Sequence, residues 1–259
     1  MSLYASETPK VRASESNHWY TRDGIPTYTV VGKNGKERNA TLRDARELNL
    51  VPSVTTIIGA AAKPALVAWM QTQVLMAALT STKLAAETEA QYIDRIIADS
   101  KKQGKDAADR GTAIHTAIES FYEGRVSNEY QEHTQGCVRA LEVHYGRIGW
   151  IAERSFGHEL GFAGKCDLHY PENQGIVVDI KTKDFSDISD VKGYDEHMMQ
   201  LAAYRVGLGI PEARCANIFV SRTTPGLCHI IDWSEEDLKR GWEMFYALLQ
   251  FWQHKNKYK

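Results

Sequence analysis

The sequence predicts an α/β protein whose central sheet is built mainly by the second half of the chain. From about Trp150 onward, apolar residues recur at every second position, which is typical of strands. Before that point, segments rich in Ala, Ile, Glu and Lys favour helices. Strands covered by helices bury a hydrophobic core between the layers, and 259 residues are enough to form a large one.

The first half of the chain predicts a hairpin followed by helices. Residues 18–40 alternate apolar and polar side chains around a glycine-containing turn, as a hairpin does. Ser53 and Gly59 favour the start and the end of a helix, and Pro64 favours a second start. Glycines 104 and 111 predict a break between two further helices. The predicted helices cover residues 53–59, 64–79, two segments within 84–123, and 129–147.

The second half predicts five strands and two helices. The strands cover residues 150–156, 162–170, 175–182, 214–221 and 227–232, and the helices cover 195–208 and 234–254. Three regions are expected to form one compact unit. They are an N-terminal flap with the hairpin (1–50), a helical elaboration (51–110) and the α/β core (111–259).

Net charge, cysteine spacing and the lack of long apolar runs limit the classes of protein to which the chain can belong. Thirty-one Lys and Arg against 33 Asp and Glu leave a net charge of −2, so no global basic field points to nucleic acid. A nuclease needs only local positive charge, for which Lys101, Lys102 and Lys105 are candidates. The four cysteines lack C-x-x-C spacing, which predicts no zinc or iron–sulfur site and fits reduced thiols in a cytoplasm. No apolar run reaches the roughly 20 residues of a membrane span, and residues 1–16 lack a signal-peptide core, so a soluble protein is expected.

The charged residues of one predicted strand carry the strongest functional signal. Asp179 and Lys181 follow the apolar residues 176–178 at strand spacing, so their side chains point to one face. A turn centred near Asn173 pairs positions whose numbers sum to 346, which places Asp167 opposite Asp179. Two carboxylates and one ammonium group are therefore expected in one patch. For an isolated Asp-x-Lys pair, a solvated surface hairpin is the alternative.

The two predicted carboxylates would repel one another, and a divalent cation is the natural neutraliser. Oxygen ligands with bound waters select Mg²⁺ or Mn²⁺, which can polarise a phosphodiester and orient a water molecule. Lys181 can then position or deprotonate that water, or hold the phosphate. The chain has no G-x-x-x-x-G-K-[ST] loop, so no nucleotide cofactor is expected.

A helical histidine upstream of these strands is a further candidate. His115 lies four residues after Gly111 and four before Glu119, so all three share one helical face. A neutral imidazole is an acceptable ligand for Mn²⁺, and Gly111 leaves room for another segment to approach. Ordinary packing is the alternative reading of a single helical histidine.

Two polar residues on the helix after the Asp-x-Lys strand complete the set. Gln200 and Tyr204 are four residues apart, and an amide and a phenol can bind phosphate oxygens or hold the lysine. Helix packing is the alternative for either residue alone. Glu153, on the strand before Asp167, is a candidate outer metal ligand or a charged residue of a strand edge.

In their order along the chain, these residues resemble the PD-(D/E)XK nuclease superfamily, in particular its RecB-like exonuclease branch. The motifs are Gly111-x-x-x-His115, Gly164-x-x-Asp167, Asp179-Ile180-Lys181 and Gln200-x-x-x-Tyr204. Two earlier segments, residues 41–46 and 52–58, look like the N-terminal part of stand-alone RecB-like exonucleases of bacteriophages. The chain is also similar to the mitochondrial genome-maintenance exonuclease, which cuts single strands.

The resemblance implies a fold and a set of roles. The fold is a restriction-endonuclease-like core, a central mixed β-sheet flanked by helices, with an N-terminal helical elaboration. The implied metal ligands are His115, Asp167, Asp179 and the backbone carbonyl of Ile180, with Lys181 as the catalytic lysine. Gln200 and Tyr204 would support the site and contact DNA. The lack of a cysteine cluster speaks against the iron–sulfur members.

The resulting expectation is a metal-dependent DNA exonuclease that acts on single-stranded or free ends in replication, recombination or repair. Its location would be the cytoplasm, that of the host if the chain is phage-encoded. Unwinding would come from a helicase or a single-strand-binding partner, because the chain lacks a helicase-type nucleotide loop. Residues 53–110 are expected to cover the site as an arch that a strand end threads. The alternatives are a structure-specific endonuclease of the same superfamily and a DNA-binding module without catalysis.

Overall fold

The computed structural model describes residues 18–125 and 127–258, so the first 17 residues of the predicted flap lie outside the described part. The first half of the chain forms short strands and helices. They are β1 (Trp19–Tyr20), β2 (Thr29–Val31), β3 (Glu37–Asn39), α1 (Leu42–Glu47), β4 (Val51–Pro52), α2 (Val54–Ile58), α3 (Pro64–Thr80), α4 (Glu89–Tyr122) and α5 (Gln131–Tyr145). The second half forms β5 (Ile151–His158), β6 (Phe162–Tyr170), β7 (Ile176–Lys183), α6 (Asp195–Gly207), β8 (Arg214–Ser221), β9 (Cys228–Trp233) and α7 (Glu235–Lys255).

Local signals account for the short N-terminal elements. β2 and β3 pair antiparallel around the predicted turn, which confirms the hairpin. Ser53 caps α2 by accepting from the backbone N–H of Thr56, and Gly59 follows the last residue of this helix, as predicted. The sequence did not predict α1. This helix begins at a capping box in which the side chains of Thr41 and Asp44 each accept from the other residue's backbone N–H.

One helix replaces the two predicted between residues 84 and 123. α4 runs without interruption through Gly104 and Gly111, so the predicted break is wrong. A glycine inside a helix costs about 1 kcal/mol relative to alanine, an amount that packing against neighbouring elements offsets. Both glycines have close neighbours. Trp69 of α3 lies against Gly104, and Thr182 of β7 lies where a Cβ of Gly111 would be.

The central sheet has the strand order β5-β6-β7-β8-β9. β5, β6 and β7 form an antiparallel meander, β8 is parallel to β7, and β9 returns antiparallel to β8. A parallel pair needs a crossover connection, which α6 provides. The five strands, α5, α6 and α7 match the predicted positions to within two residues at each end.

Helices cover both faces of this sheet. On one face, Val177 of β7 belongs to a buried cluster with Leu201 of α6 and Phe245 of α7. On the other face, the next residue, Val178, belongs to a second cluster with Ile114 of α4. Successive strand residues point to opposite faces, so one strand supplies both clusters. The predicted α/β class, a mixed sheet flanked by helices, is confirmed.

The segment before α3 packs against the same core. Trp19 of β1 is 1% exposed and its ring meets that of Trp252 of α7 edge to face, with centroids 6.0 Å apart. The hydroxyl of Tyr258 donates to the carbonyl of Ala45 at 3.0 Å, which joins the C-terminus to α1. Within the described residues, no helix combines the length and the apolar composition needed to cross a membrane.

Candidate active site

A fork between β6 and β7 contains the predicted site residues. The two strands pair in the predicted register, with Leu168 opposite Val178. The ladder ends at that pair. Beyond it, β6 pairs only with β5, and β7 pairs only with β8. Asp167 and Asp179 are the next positions along each strand, so the expected cross-strand pair is replaced by two carboxylates at the opening of the fork.

Asp167 connects the strands to α4. Its Oδ2 accepts the backbone N–H of Ile180 at 2.7 Å and lies 3.0 Å from Nε2 of His115. The other ring nitrogen of His115 contacts the carboxylate of Glu119, one helical turn further along α4. The imidazole is therefore held between two carboxylates. Since the N–H and C=O of one strand residue point to the same strand edge, the carbonyl of Ile180 also points into the fork.

Lys181 joins Asp179 to α6. Its Nζ lies 3.0 Å from Oδ1 and 2.9 Å from Oδ2 of Asp179, and it donates to Oε1 of Gln200 at 3.0 Å. Gln200 in turn donates from Nε2 to the hydroxyl of Tyr204 at 2.9 Å. Asp179, Gln200 and Tyr204 are buried, whereas the side chain of Lys181 is 28% exposed. The ammonium group is thus held by two buried side chains, Asp179 and Gln200.

Asn217 is a residue of the site that the sequence analysis missed. It lies on β8 directly beside Asp179, is fully buried, and donates from Nδ2 to Oδ2 of Asp179 at 2.7 Å. Its Oδ1 accepts from Nε1 of Trp233 at 2.8 Å. One signal was present in the sequence, because Asn217 is a polar residue in the middle of an otherwise apolar strand. A buried amide there needs hydrogen-bond partners.

Burial and neighbouring charges shift the pKa values of the fork. Burial lowers the pKa of His115, but the charges of Asp167 and Glu119 outweigh burial and raise this pKa to about 10. Burial and the charge of Asp167 raise the pKa of Asp179 against the opposing effect of Lys181. For Asp167, burial raises the pKa, but His115 and Lys181 outweigh it and leave the pKa below its ordinary value. Two neighbouring acids with opposite shifts are typical of a functional site.

The donor atoms of the fork fit a hard divalent cation. Within residues 18–125 and 127–258, no three His, Cys, Asp or Glu side chains form a ready-made metal cage, and the acids instead contact His115 and Lys181. Two ligands at right angles, each about 2.1 Å from an ion, lie about 3 Å apart. Nε2 of His115 and Oδ2 of Asp167 are 3.0 Å apart. With Asp179 and the Ile180 carbonyl, they are the donor types that Mg²⁺ and Mn²⁺ accept, once His115 releases its proton.

The remaining candidates are Glu153, Gly111 and three lysines of α4. Glu153 occupies the position on β5 level with Asp167, has a left-handed backbone with φ 55°, and contacts the ammonium group of Lys165. Glu153 is missing from the β5–β6 pairs, because a left-handed residue does not have the extended backbone of a strand. Gly111 contributes space for Thr182. The side chains of Lys101, Lys102 and Lys105 are exposed on α4.

The fold defines an α/β protein with a mixed five-stranded sheet flanked by helices, the architecture expected from the resemblance. No protein-family model matches the sequence, and no curated protein matches it. Solved structures with some similarity include a presumptive exonuclease from Eubacterium rectale, 15% identical with a TM-score of 0.42, where 57% of this chain and 68% of that chain are covered. An alkaline exonuclease from Laribacter hongkongensis is 16% identical with a TM-score of 0.30, and the match covers 70% of this chain and 91% of that chain. These similarities are too low to carry an argument.

Proposed function

We propose that the protein is a metal-dependent exonuclease that shortens single-stranded DNA from its ends by hydrolysing phosphodiester bonds. One observation carries the proposal. The ammonium group of Lys181 is held by Asp179 and Gln200 beside a second acid, Asp167, which contacts His115. A structural ion pair needs no second acid and no imidazole. Two acids, an imidazole and an ammonium group at one point can together hold a divalent cation and position a phosphate and a water for hydrolysis.

Each group of the fork has a role in this reaction. His115, Asp167, Asp179 and the carbonyl of Ile180 would hold a Mg²⁺ or Mn²⁺ ion. When bound, that ion supplies charge stabilisation for the phosphoryl oxygens and a more acidic water. Lys181 would contact the reacting groups, where its ammonium form can hold a phosphate oxygen and its neutral amine form can accept a proton from the attacking water.

The surrounding residues position the reacting groups. Gln200 accepts from Lys181 and donates to Tyr204, which directs the ammonium group toward the fork. Glu119 contacts the far ring nitrogen of His115 and orients the near one toward Asp167. Asn217 fixes the carboxylate of Asp179 from the side of β8. Such support keeps the reacting groups in place before the substrate arrives.

The biological setting of the proposed enzyme is the processing of single-stranded DNA ends. The sequence lacks a G-x-x-x-x-G-K-[ST] loop, so unwinding would come from a helicase or single-strand-binding partner. Replication, recombination or repair supplies single-stranded ends of this kind. The four cysteines are free thiols, as in a reducing compartment, and we place the enzyme in a cytoplasm, that of the host if a phage encodes it.

The first test is digestion of end-labelled linear single-stranded DNA beside a closed circle of the same sequence, with Mg²⁺ or Mn²⁺. We expect loss of the linear strand alone. Lys181→Ala and Asp179→Ala should each slow this loss by about 100-fold or more, because they remove charge stabilisation at the reacting phosphate. Chelator should abolish it. Lys239→Ala, which removes an exposed lysine of α7, is the matched control and should digest DNA like the wild type.

Two outcomes would redirect the proposal. Cleavage of the circle would indicate an endonuclease with the same chemistry, since a circle offers no end. Binding of both substrates without cleavage under any divalent cation would indicate a DNA-binding module. Digestion that survives Lys181→Ala would refute the assignment of the active site to this fork.

A further inference from the structure

We propose that a groove next to the fork binds one unpaired nucleotide, with its base stacked on Trp69 and its phosphate beside Lys183 and Arg222. The proposal rests on the proposed function, because it names the part of the substrate that this groove recognises. In this proposal, the groove at the junction of α3, α4 and β7 selects single-stranded over double-stranded DNA.

The groove has the size and position of a nucleotide site. Its volume is about 490 Å³, within the range of small-molecule sites. Its walls come from α3, from α4 between Gly104 and Ala108, from the end of β7 and from the residue after β8. Lys183 is the last residue of β7, lies about 7 Å beyond Lys181 along the strand, and lines the groove. The groove therefore begins where the fork ends.

Trp69 supplies an aromatic surface in this groove. Its ring edge contacts α4 at Gly104, and the residue is 48% exposed. A half-exposed indole in the wall of a groove is suited to stacking with a base. Every base has a stacking face, so such contact is tolerant of sequence.

Two cations line the same groove as Trp69. Arg222 donates from Nη1 to the carbonyl of Ala107 at 3.0 Å and from Nε to Oδ1 of Asp184 at 2.8 Å. These bonds fix its guanidinium group between α4 and the end of the sheet. Lys183 donates to the carbonyl of Asp190 at 2.8 Å, which uses one of the three N–H donors of its ammonium group. Two positive charges against the one carboxylate of Asp184 leave the groove suited to a phosphate.

Single-strand selection follows from the stacking. A base inside a duplex already stacks on its neighbours and cannot present its face to Trp69 without leaving the helix. An unpaired base has no such cost. The groove would thus bind the DNA next to the fork only where its bases are unpaired.

The test measures binding of a dye-labelled single-stranded oligonucleotide by fluorescence anisotropy, with chelator present so that no cleavage occurs. Trp69→Leu keeps an apolar side chain at this position but removes the aromatic ring, and we expect about tenfold weaker binding. Trp69→Phe should bind within about twofold of the wild type. Leu75→Ala is the matched control, because Leu75 is 65% exposed on the same helix but does not line the groove.

A second measurement uses the unchanged protein. A series of oligonucleotides, each with one abasic position, should lose affinity about tenfold when the missing base is the one that stacks on Trp69. Trp69→Leu should show no such position dependence. Equal effects of Trp69→Leu and Leu75→Ala, or an abasic series without a weak position, would overturn the proposal.

These results separate the groove from the proposed function. If linear strands are digested in a manner that depends on Lys181 while Trp69→Leu binds like the wild type, only the groove assignment fails. If the wild-type protein neither binds nor digests single strands, both fail. If it digests single strands and the abasic series shows the expected position, both stand.

Discussion

The side chain of Asn217 links the stability of the sheet to the geometry of the fork. Its amide donates to Asp179 at 2.7 Å and accepts from Trp233 at 2.8 Å, and the residue is fully buried. Asn217→Ala removes both hydrogen bonds at once. The change leaves a buried carboxylate with one donor fewer and an indole N–H without its acceptor.

The expected cost follows from these two bonds. A hydrogen bond to a charged group contributes about 1.5–3 kcal/mol and a neutral one about 0.5–1.5 kcal/mol. Asn217→Ala should therefore lower the free energy of unfolding by about 2–4.5 kcal/mol. Urea denaturation at pH 7 without divalent cations measures this value, and the denaturant slope should stay unchanged. Asn128→Ala, at an exposed position, is the control and should cost less than about 0.5 kcal/mol.

A double-mutant cycle separates the bond to Asp179 from general packing. In an Asp179→Asn background the charged acceptor is absent, so Asn217→Ala should cost at least about 1 kcal/mol less than in the wild type. An equal cost in both backgrounds would refute the hydrogen-bond account. So would a total cost below about 0.5 kcal/mol for the single variant.

Other predictions concern α4 and the start of α7. Gly111→Ala places a Cβ 2.4 Å from Oγ1 of Thr182 and should destabilise the protein by about 1–3 kcal/mol, with recovery in Gly111→Ala/Thr182→Ala. Gly104→Ala meets only ordinary contact with Trp69 at 3.6 Å and should stabilise by about 0.5–1 kcal/mol. Thermal unfolding checks both, and stabilisation by Gly111→Ala alone would contradict the first. Glu235→Gln should cost about 1 kcal/mol at pH 7, since Glu235 accepts two bonds from Arg205 but is largely exposed.

The effect of Glu235→Gln on the free energy of unfolding should depend on pH. In the wild type, the hydrogen bonds from Arg205 hold the pKa of the Glu235 carboxyl below its ordinary value. A carboxyl with a lowered pKa stabilises the fold above its unfolded pKa and loses that contribution as the pH falls through the folded value. The difference in unfolding free energy between wild type and variant should therefore be present at pH 7 and shrink in acid. A difference independent of pH would exclude the ion pair as its cause.

Local patterns in the sequence were sufficient to predict most elements and the register of one hairpin. Strand alternation, helix caps and the turn near Asn173 depend on residues close together in the chain, so the elements after α4 are found where they were predicted. The spacing of Asp179 and Lys181 along one strand likewise predicted that their side chains meet. Gln200 and Tyr204 are hydrogen-bonded at the predicted helical spacing.

Other features depended on contacts between segments that are distant in sequence. The continuity of α4 depends on what packs against Gly104 and Gly111, which helix propensity does not contain. The position of Asn217 beside Asp179 follows from a parallel pairing made through the α6 crossover, and the groove at Trp69 follows from how α3 lies against α4. Sequence spacing determined which side chains share a face of one element. Only the tertiary structure decided which faces meet, because that choice depends on burial and packing summed over the whole chain.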